Sequence, residues 1–148
     1  MSAPLPTWAD ELLRSARVGR LATADPAGQP LVVPVCYVFA DARVYTAIDA
    51  KPKRTTGRGL RRVRNIEANP RVSLVVDEYD EDWSRLRYVI VDGRAALLTE
   101  GDTFARALDL LAAKYPQYRT LRLDRTAGLV IAITPSRTRC WRFASPPS

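Results

Sequence analysis

The chain has 148 residues, of which 47% are hydrophobic and 26% are charged, so we expect one globular domain over residues 1–148. Its formal net charge of +7 predicts an anionic partner, such as a phosphorylated ligand, a membrane surface or nucleic acid. The chain contains no histidine, which excludes Ser–His and Cys–His nucleophilic catalysis within one chain and histidine as a metal ligand.

No apolar run is long enough to span a bilayer, and residues 1–13 lack the apolar core of a signal peptide. These features predict a cytoplasmic protein that makes no membrane contact. The two cysteines, Cys36 and Cys140, are too few for a disulfide framework or a metal cluster. Because both lie in apolar, strand-like surroundings, we expect them to be small buried side chains.

The N-terminal segment predicts a short helix. Thr7 is followed three residues later by Asp10, which is an N-cap pattern. Apolar residues recur at helical spacing in this segment. They are Leu5, Trp8, Leu12, Leu13 and Ala16. Residues 18–24 then predict a strand that ends in the turn sequence Asp-Pro-Ala-Gly at 25–28.

A second strand is predicted over residues 31–39, with Pro30 at its start and Pro34 inside it. Proline has no amide hydrogen to give to a neighbouring strand, so this strand is expected at an edge of the sheet or with a bulge at Pro34. Asp41 and Ala42 predict a turn into a third strand over residues 44–48.

A basic segment follows the third strand and carries seven cations before the first acid, Glu67. They are Lys51, Lys53, Arg54, Arg58, Arg61, Arg62 and Arg64. Leu60, Val63 and Ile66 form one helical stripe. This helix is expected to end near Asn69, because the residue before a proline disfavours helical backbone angles.

The second half of the chain predicts strands over 71–79 and 88–98, and then a helix from about Asp102 to Tyr115. Residues 129–134 and 140–143 predict two final strands around Pro135. The total is six or seven strands, mostly in sequential runs, with three helices. This order does not match the regular alternation of a doubly wound sheet. We therefore predict an antiparallel, barrel-like, mainly β member of the α+β class.

The start of the basic segment is a candidate phosphate site. Lys51 and Lys53 leave a strand near a helix N-terminus, where free amides and the helix dipole favour an anion. Each charge-assisted contact contributes about 1.5–3 kcal/mol, so two or three would hold a phosphate well. The alternative interpretation is a solvated helix face, partly neutralised by the acids of residues 77–82.

Nucleic acid would use the same cations, but this segment has no interleaved aromatic residues that stack on bases. The acidic run at 77–82 would also repel a phosphate backbone, and its spacing predicts surface residues rather than a hard cation site. Trp83, Tyr88 and Trp141 are candidates for packing on a flat heterocycle, although aromatic residues at strand ends also occur in protein cores.

These residues together resemble the flavin-binding split-barrel superfamily of the pyridoxamine 5′-phosphate oxidase type. The strand containing Val44, Tyr45 and Thr46, the basic exit at Lys51 and the sequence Asn-Pro-Arg-Val at 69–72 are similar to its central block. Residues 74–95 are closer to an actinobacterial branch that resembles deazaflavin-dependent reductases, which use coenzyme F-420 instead of FMN. The resemblance spans about residues 18–98.

The resemblance implies a homodimer that binds its cofactor in a groove between the subunits, with basic residues on the cofactor phosphate and strand backbone under its ring. Carried over to this chain, the phosphate would meet Lys51, Lys53 and Arg54. Counting back from Asn69 places the family's phosphate-binding position at Arg62 instead, so Arg61 and Arg62 stay as alternatives. The resemblance also implies that Thr46 and the backbone of Pro34 and Val35 lie near the tail or the ring of the cofactor. Trp83 is a further candidate contact with the cofactor.

The chain departs from the oxidase itself, because it lacks histidine and has Cys-Trp-Arg-Phe at 140–143 where the oxidase has its Arg-Leu substrate motif. The leading hypothesis is a homodimeric coenzyme F-420-dependent oxidoreductase that transfers hydride to a small molecule, without a catalytic acid–base residue or a metal. The alternatives are an FMN-dependent oxidoreductase, a non-catalytic flavin- or haem-binding protein of the same fold, and a nucleic-acid-binding barrel.

Overall fold

The computed structural model describes residues 4–48, 59–121 and 123–144. In these ranges the helices and strands alternate in short runs along the chain. In chain order they are α1 Thr7–Ser15, β1 Gly19–Ala24, β2 Pro30–Val35, β3 Val38–Ala40, β4 Arg43–Ile48, α2 Arg61–Ala68, β5 Arg71–Glu78, β6 Arg87–Leu98, α3 Asp102–Lys114 and β7 Leu129–Arg142. Short 3-10 turns at Trp83–Arg85 and Pro116–Arg119 complete the described part. The predicted antiparallel, mainly β fold is confirmed.

The seven strands form one antiparallel sheet in the order β2-β1-β5-β6-β7-β4-β3. Its two edge strands, β2 and β3, are neighbours in sequence and are joined only by Cys36 and Tyr37. The sheet therefore curls until its edges almost meet, and it stays open between β2 and β3. The prediction that Pro34 belongs to an edge strand is confirmed, since β2 pairs with β1 on one side only.

The long strands β6 and β7 bend the sheet into its barrel shape. They pair from Arg87 opposite Arg142 to Leu98 opposite Val130, with an irregularity in register at Asp92 and Gly93. A Cβ atom at Gly93 would lie 2.4 Å from the carbonyl oxygen of Thr134, which no real side chain tolerates. Glycine is required here because the two backbones approach closely at the bulge.

Two apolar clusters hold the sheet to its helices. The first fills the inside of the barrel, where α1 and α2 contribute Leu12, Leu13, Val63 and Ile66. In the second, α3 packs on β3, β4 and β7. Its members are Val38, Tyr45, Phe104, Ala107, Leu108, Leu111, Tyr115, Val130 and Ala132. Burying each large apolar side chain contributes about 1.5–3 kcal/mol, so these contacts fix the helices on the sheet.

Three local predictions are wrong. The predicted strand 31–39 is two strands, because the chain leaves the sheet at Cys36 and Tyr37. The two predicted C-terminal strands are one strand, β7, because Pro135 and Ser136 are accommodated in the bulge opposite Gly93. Thr7 is the first helical residue rather than the cap: Pro6 holds the N-cap position and accepts the first amide hydrogens through its carbonyl.

Candidate functional site

In the described part of the chain, no neighbouring strand covers the main chain that lines the opening between β2 and β3. Thr46, which is buried on β4, donates from its hydroxyl to the carbonyl oxygen of Cys36 at 2.7 Å. The structure thus places Thr46 next to the segment that directly follows Pro34 and Val35. Pro34 and Cys36 are exposed, so the prediction of a buried Cys36 is wrong.

Side chains from the end of α3 satisfy the polar main-chain groups of Tyr37. The Tyr37 amide donates to the Tyr115 hydroxyl at 3.0 Å, and that hydroxyl lies 2.9 Å from the Tyr37 carbonyl oxygen and 3.0 Å from that of Arg17. Lys114 donates from Nζ to the carbonyls of Tyr37 at 2.9 Å and Ala16 at 2.7 Å. A buried main-chain group without a partner is costly, so these contacts stabilise the connection between β2 and β3.

The environment of Lys114 is only partly aqueous. Its ammonium group lies 4.1 Å from the centre of the Tyr37 ring, and the Tyr37 hydroxyl donates to the Leu13 carbonyl. Burial, and next the neighbouring Arg17 guanidinium, lower the pKa of Lys114 to about 8. Burial also raises the pKa of Tyr37, so its hydroxyl stays protonated at neutral pH.

A second feature is a basic cavity of about 290 Å³ between α2 and the β1–β2 turn. It is lined by Asp25, Pro26, Gln29, Arg61, Arg64 and Asn65. The Asn65 side chain is buried and donates to the Thr23 hydroxyl at 3.0 Å, which anchors α2 to β1. With two guanidinium groups and one carboxylate, the cavity is positive at neutral pH and fits a small anionic group.

Only some of the predicted phosphate-binding residues lie in the described part of the chain. Lys51, Lys53 and Arg54 lie outside the described residues. Arg61 is exposed at the basic cavity, and Arg62 is partly buried on the same helix. Gln29 directly precedes β2 and Val35 ends it, so about 20 Å of extended chain, at about 3.3 Å per residue, separates this cavity from the opening.

Trp83 lies far along the sheet from the opening between β2 and β3 within one chain. It precedes β6, and its side chain is 63% exposed. Thr46 pairs with Ile131, which in turn pairs with Leu97 near the other end of β6. About 33 Å of strand, at about 3.3 Å per residue, therefore separates Trp83 from the opening. Tyr88 and Trp141 stack near Trp83 with ring centres 5.7 Å apart.

Several residues of the site were not predicted from the sequence. Tyr37 and Lys114 are 77 positions apart, and no local pattern links them. Arg64 and Asn65 lie two and three residues after the predicted Arg62, but their position at the cavity depends on how α2 packs on β1. A polar Asn65 beside the buried Val63 and Ile66 was the one available signal, since a buried amide needs a hydrogen-bond partner.

The fold and its open edge define an antiparallel split barrel. Residues 5–142 match the pyridoxamine 5′-phosphate oxidase family, and the chain belongs to this family. A curated relative is the 5a,11a-dehydrotetracycline/5a,11a-dehydrooxytetracycline reductase of Streptomyces rimosus subsp. rimosus, which is 37% identical over 90 residues. That alignment covers 60% of this chain and 61% of the relative, so the chain spans less than two thirds of the relative's length.

Solved structures share this fold. A conserved hypothetical protein, Rv2991, from Mycobacterium tuberculosis superposes with a TM-score of 0.74 at 21% identity, covering 95% of this chain and 86% of that one. A structure described as an F-420 reductase gives a TM-score of 0.69 at 23% identity, with coverages of 91% and 98%. A FAD-binding protein from Mesorhizobium loti gives 0.66 at 27% identity, with coverages of 92% and 94%. The flavin-binding split-barrel fold predicted from the sequence is therefore confirmed.

Among the described residues, no helix is both long enough and apolar enough to cross a bilayer.

Proposed function

We propose that the protein is an oxidoreductase that uses coenzyme F-420 to reduce a small unsaturated molecule. The observation that carries this proposal is the 37% identity to a dehydrotetracycline reductase within a family whose fold binds flavin-type cofactors. When bound, the reduced cofactor would supply the hydride. The chain's own residues would then bind and orient the reactants, which agrees with the absence of histidine.

The described residues fit such a cofactor at two places. Pro34 and Cys36, which are exposed on either side of the buried Val35, offer a surface for a planar ring. The cavity at Arg61 and Arg64 offers positive charge for a phosphodiester or a carboxylate tail. Lys51, Lys53 and Arg54 are the alternative phosphate contacts in this proposal, together with Arg62 on α2.

The proposal includes a homodimer. The outer face of the sheet mixes apolar and charged side chains: Val75 lies opposite Ile90, their other neighbours are Arg20 and Arg139, and Val32 on β2 is 60% exposed. Arginine beside apolar side chains is a composition that protein–protein interfaces favour. Because Trp83 is remote from the opening in one chain, its proposed cofactor contact requires the partner's opening. Light scattering on wild type and Ile90→Arg tests this: we expect a dimer and a monomer, respectively.

Titration with F-420 and with FMN, followed by cofactor fluorescence, tests the proposed cofactor. We expect tighter binding of F-420. Oxidation of the reduced cofactor is then assayed with dehydrotetracycline-type acceptors. Failure of the wild-type protein to bind either cofactor would end the cofactor proposal. Binding without turnover over a broad acceptor panel would favour a non-catalytic flavin-binding protein.

The two candidate phosphate sites are separated by paired substitutions. Arg61→Ala with Arg64→Ala removes both cations of the basic cavity, and Lys51→Ala with Lys53→Ala removes the other pair. Each charge-assisted contact contributes about 1.5–3 kcal/mol. Substituting the pair that holds the phosphate should therefore weaken cofactor affinity more than about tenfold. Arg43→Ala removes an exposed charge elsewhere and should leave affinity unchanged. Unchanged affinity in both double variants would contradict a phosphate site at either place.

Haem binding is the second candidate, because the fold is shared with a haem storage protein, HutZ, from Vibrio cholerae, with a TM-score of 0.72 at 17% identity. The chain has no histidine to bind haem iron, so an axial ligand would have to come from another residue type. Titration with haemin distinguishes the two candidates. A Soret band shift at stoichiometric haemin, together with no flavin binding, would favour haem.

A further inference from the structure

The contacts at the end of α3 reach the connection between β2 and β3, where the barrel is open. Lys114 is the last residue of α3, and its ammonium donates to two carbonyl oxygens that belong to different segments. One is Ala16, between α1 and β1, and the other is Tyr37, between β2 and β3. One side chain thus ties three separate parts of the chain together at the point where the sheet is open.

The same group is held in place by its own neighbours. Arg17 donates to the Lys114 carbonyl at 2.9 Å, and its guanidinium lies 4.6 Å from the centre of the Tyr115 ring. The Lys114 ammonium lies over the Tyr37 ring and 5.3 Å from the centre of the Tyr115 ring. A cation that contacts two aromatic rings and two carbonyl oxygens has a more defined position than a surface lysine.

We propose that Lys114 is a positioning residue that fixes the main chain of Cys36 and Tyr37, and thereby the adjoining Pro34–Val35 surface on which the cofactor ring lies. This inference rests on the proposed function, because that surface matters only if a cofactor ring binds there. Lys114 need not touch the cofactor. It acts through the Tyr37 carbonyl, while Thr46 holds the neighbouring Cys36 carbonyl from β4.

The charge of Lys114 gives the proposal a pH signature. In the described part of the chain, the titratable and charged groups that face it are Arg17, Cys36, Tyr37 and Tyr115. Its pKa is lowered to about 8, so the ammonium loses its proton as the pH rises through that value. A neutral amine donates weaker hydrogen bonds than an ammonium. Cofactor affinity should therefore fall between pH 7 and pH 9.

The experiment compares Lys114→Met and Lys114→Arg with wild type, using F-420 and FMN titrations from pH 6.5 to 9.5. Losing two charge-assisted hydrogen bonds should weaken affinity about tenfold in Lys114→Met at pH 7 and remove the fall above pH 8. Lys114→Arg keeps its charge over this range and should restore affinity at pH 9. Arg119→Met removes an exposed charge near the same helix end and serves as the control.

A second measurement follows the connection itself, without any cofactor. The thiol of Cys36 is exposed, so its alkylation rate in a Cys140→Ser background reports how ordered its surroundings are. Hydrogen exchange at the Tyr37 amide reports the same segment, and both rates should rise in Lys114→Met. Faster rates with unchanged cofactor affinity would overturn the positioning role and leave the proposed function intact. A wild-type protein that binds neither cofactor would overturn the proposed function and the role of Lys114 with it.

Discussion

The hydrogen bonds of the Tyr115 hydroxyl allow the loss of stability on its removal to be worked out. Tyr115→Phe keeps the buried ring and its contact with the Arg17 guanidinium at 4.6 Å, and it removes only the hydroxyl. That hydroxyl accepts from the Tyr37 amide at 3.0 Å and lies within hydrogen-bonding distance of the Tyr37 and Arg17 carbonyls. The substitution therefore isolates one polar group at the end of α3.

The expected loss of stability has two parts. The Tyr37 amide loses its partner in a buried position, which costs about 1–3 kcal/mol. The hydrogen bond that the hydroxyl donates to a carbonyl is also lost, which costs about 0.5–1.5 kcal/mol more. Lys114 still donates to the Tyr37 carbonyl in this variant. The free energy of unfolding should fall by about 2–4 kcal/mol. For a chain of this length that corresponds to a decrease in Tm of about 5–15 °C.

Tyr79→Phe is the matched control, because it removes the same atom from a side chain that is 66% exposed. Its hydroxyl has a contact of 3.4 Å with Glu81, so its loss should change stability by less than about 0.5 kcal/mol. Urea unfolding of both variants gives the difference directly, and hydrogen exchange locates it at the Tyr37 amide. Equal stabilities of Tyr115→Phe and Tyr79→Phe would refute the assignment of these hydrogen bonds.

The remaining predictions concern the sheet and its surface charges. Gly93→Ala should destabilise the protein by about 1–3 kcal/mol in urea unfolding, because its Cβ would meet the Thr134 carbonyl oxygen at 2.4 Å. Gly19→Ala should cost less, since its Cβ meets the flexible Leu74 side chain, and the reverse order would contradict the rigid bulge. The hydrogen bond from Arg87 lowers the pKa of Glu78, so the stability from this pair is present at pH 7 and lost as the pH falls through that lowered pKa. Thermal melts from pH 7 to pH 3 should show the advantage of wild type over Glu78→Gln shrinking, and a growing advantage would contradict the sign.

Local sequence patterns predicted most of the elements, because they depend on neighbouring residues. Asn69 before Pro70 predicted the end of α2, and α2 does end at Ala68. The turn at 25–28 forms with a hydrogen bond from the Gly28 amide to the Asp25 carbonyl, and Gly28 has a φ of 88°. Pro34 predicted an edge strand because a missing amide hydrogen is tolerated only there.

Other features depend on residues that are far apart in sequence. Pro135 predicts a strand break when it is considered alone. The bulge opposite Gly93 lets β7 continue past it, and this depends on a strand about forty residues away. Cys36 has apolar neighbours in sequence, yet it is exposed, because the chain leaves the sheet between β2 and β3.

The candidate site also combines features that depend on local sequence with features that depend on residues far apart in sequence. Sequence by itself determined the family resemblance, the basic character of the segment around Arg61 and the absence of imidazole chemistry, because each is a property of residue types and their order. Only the tertiary structure decided that Lys114 and Tyr115 complete the hydrogen bonds of Tyr37. The physical reason is that the barrel opens between its two edge strands, and the polar main chain exposed there must be satisfied by whichever side chains the packing of α3 brings near.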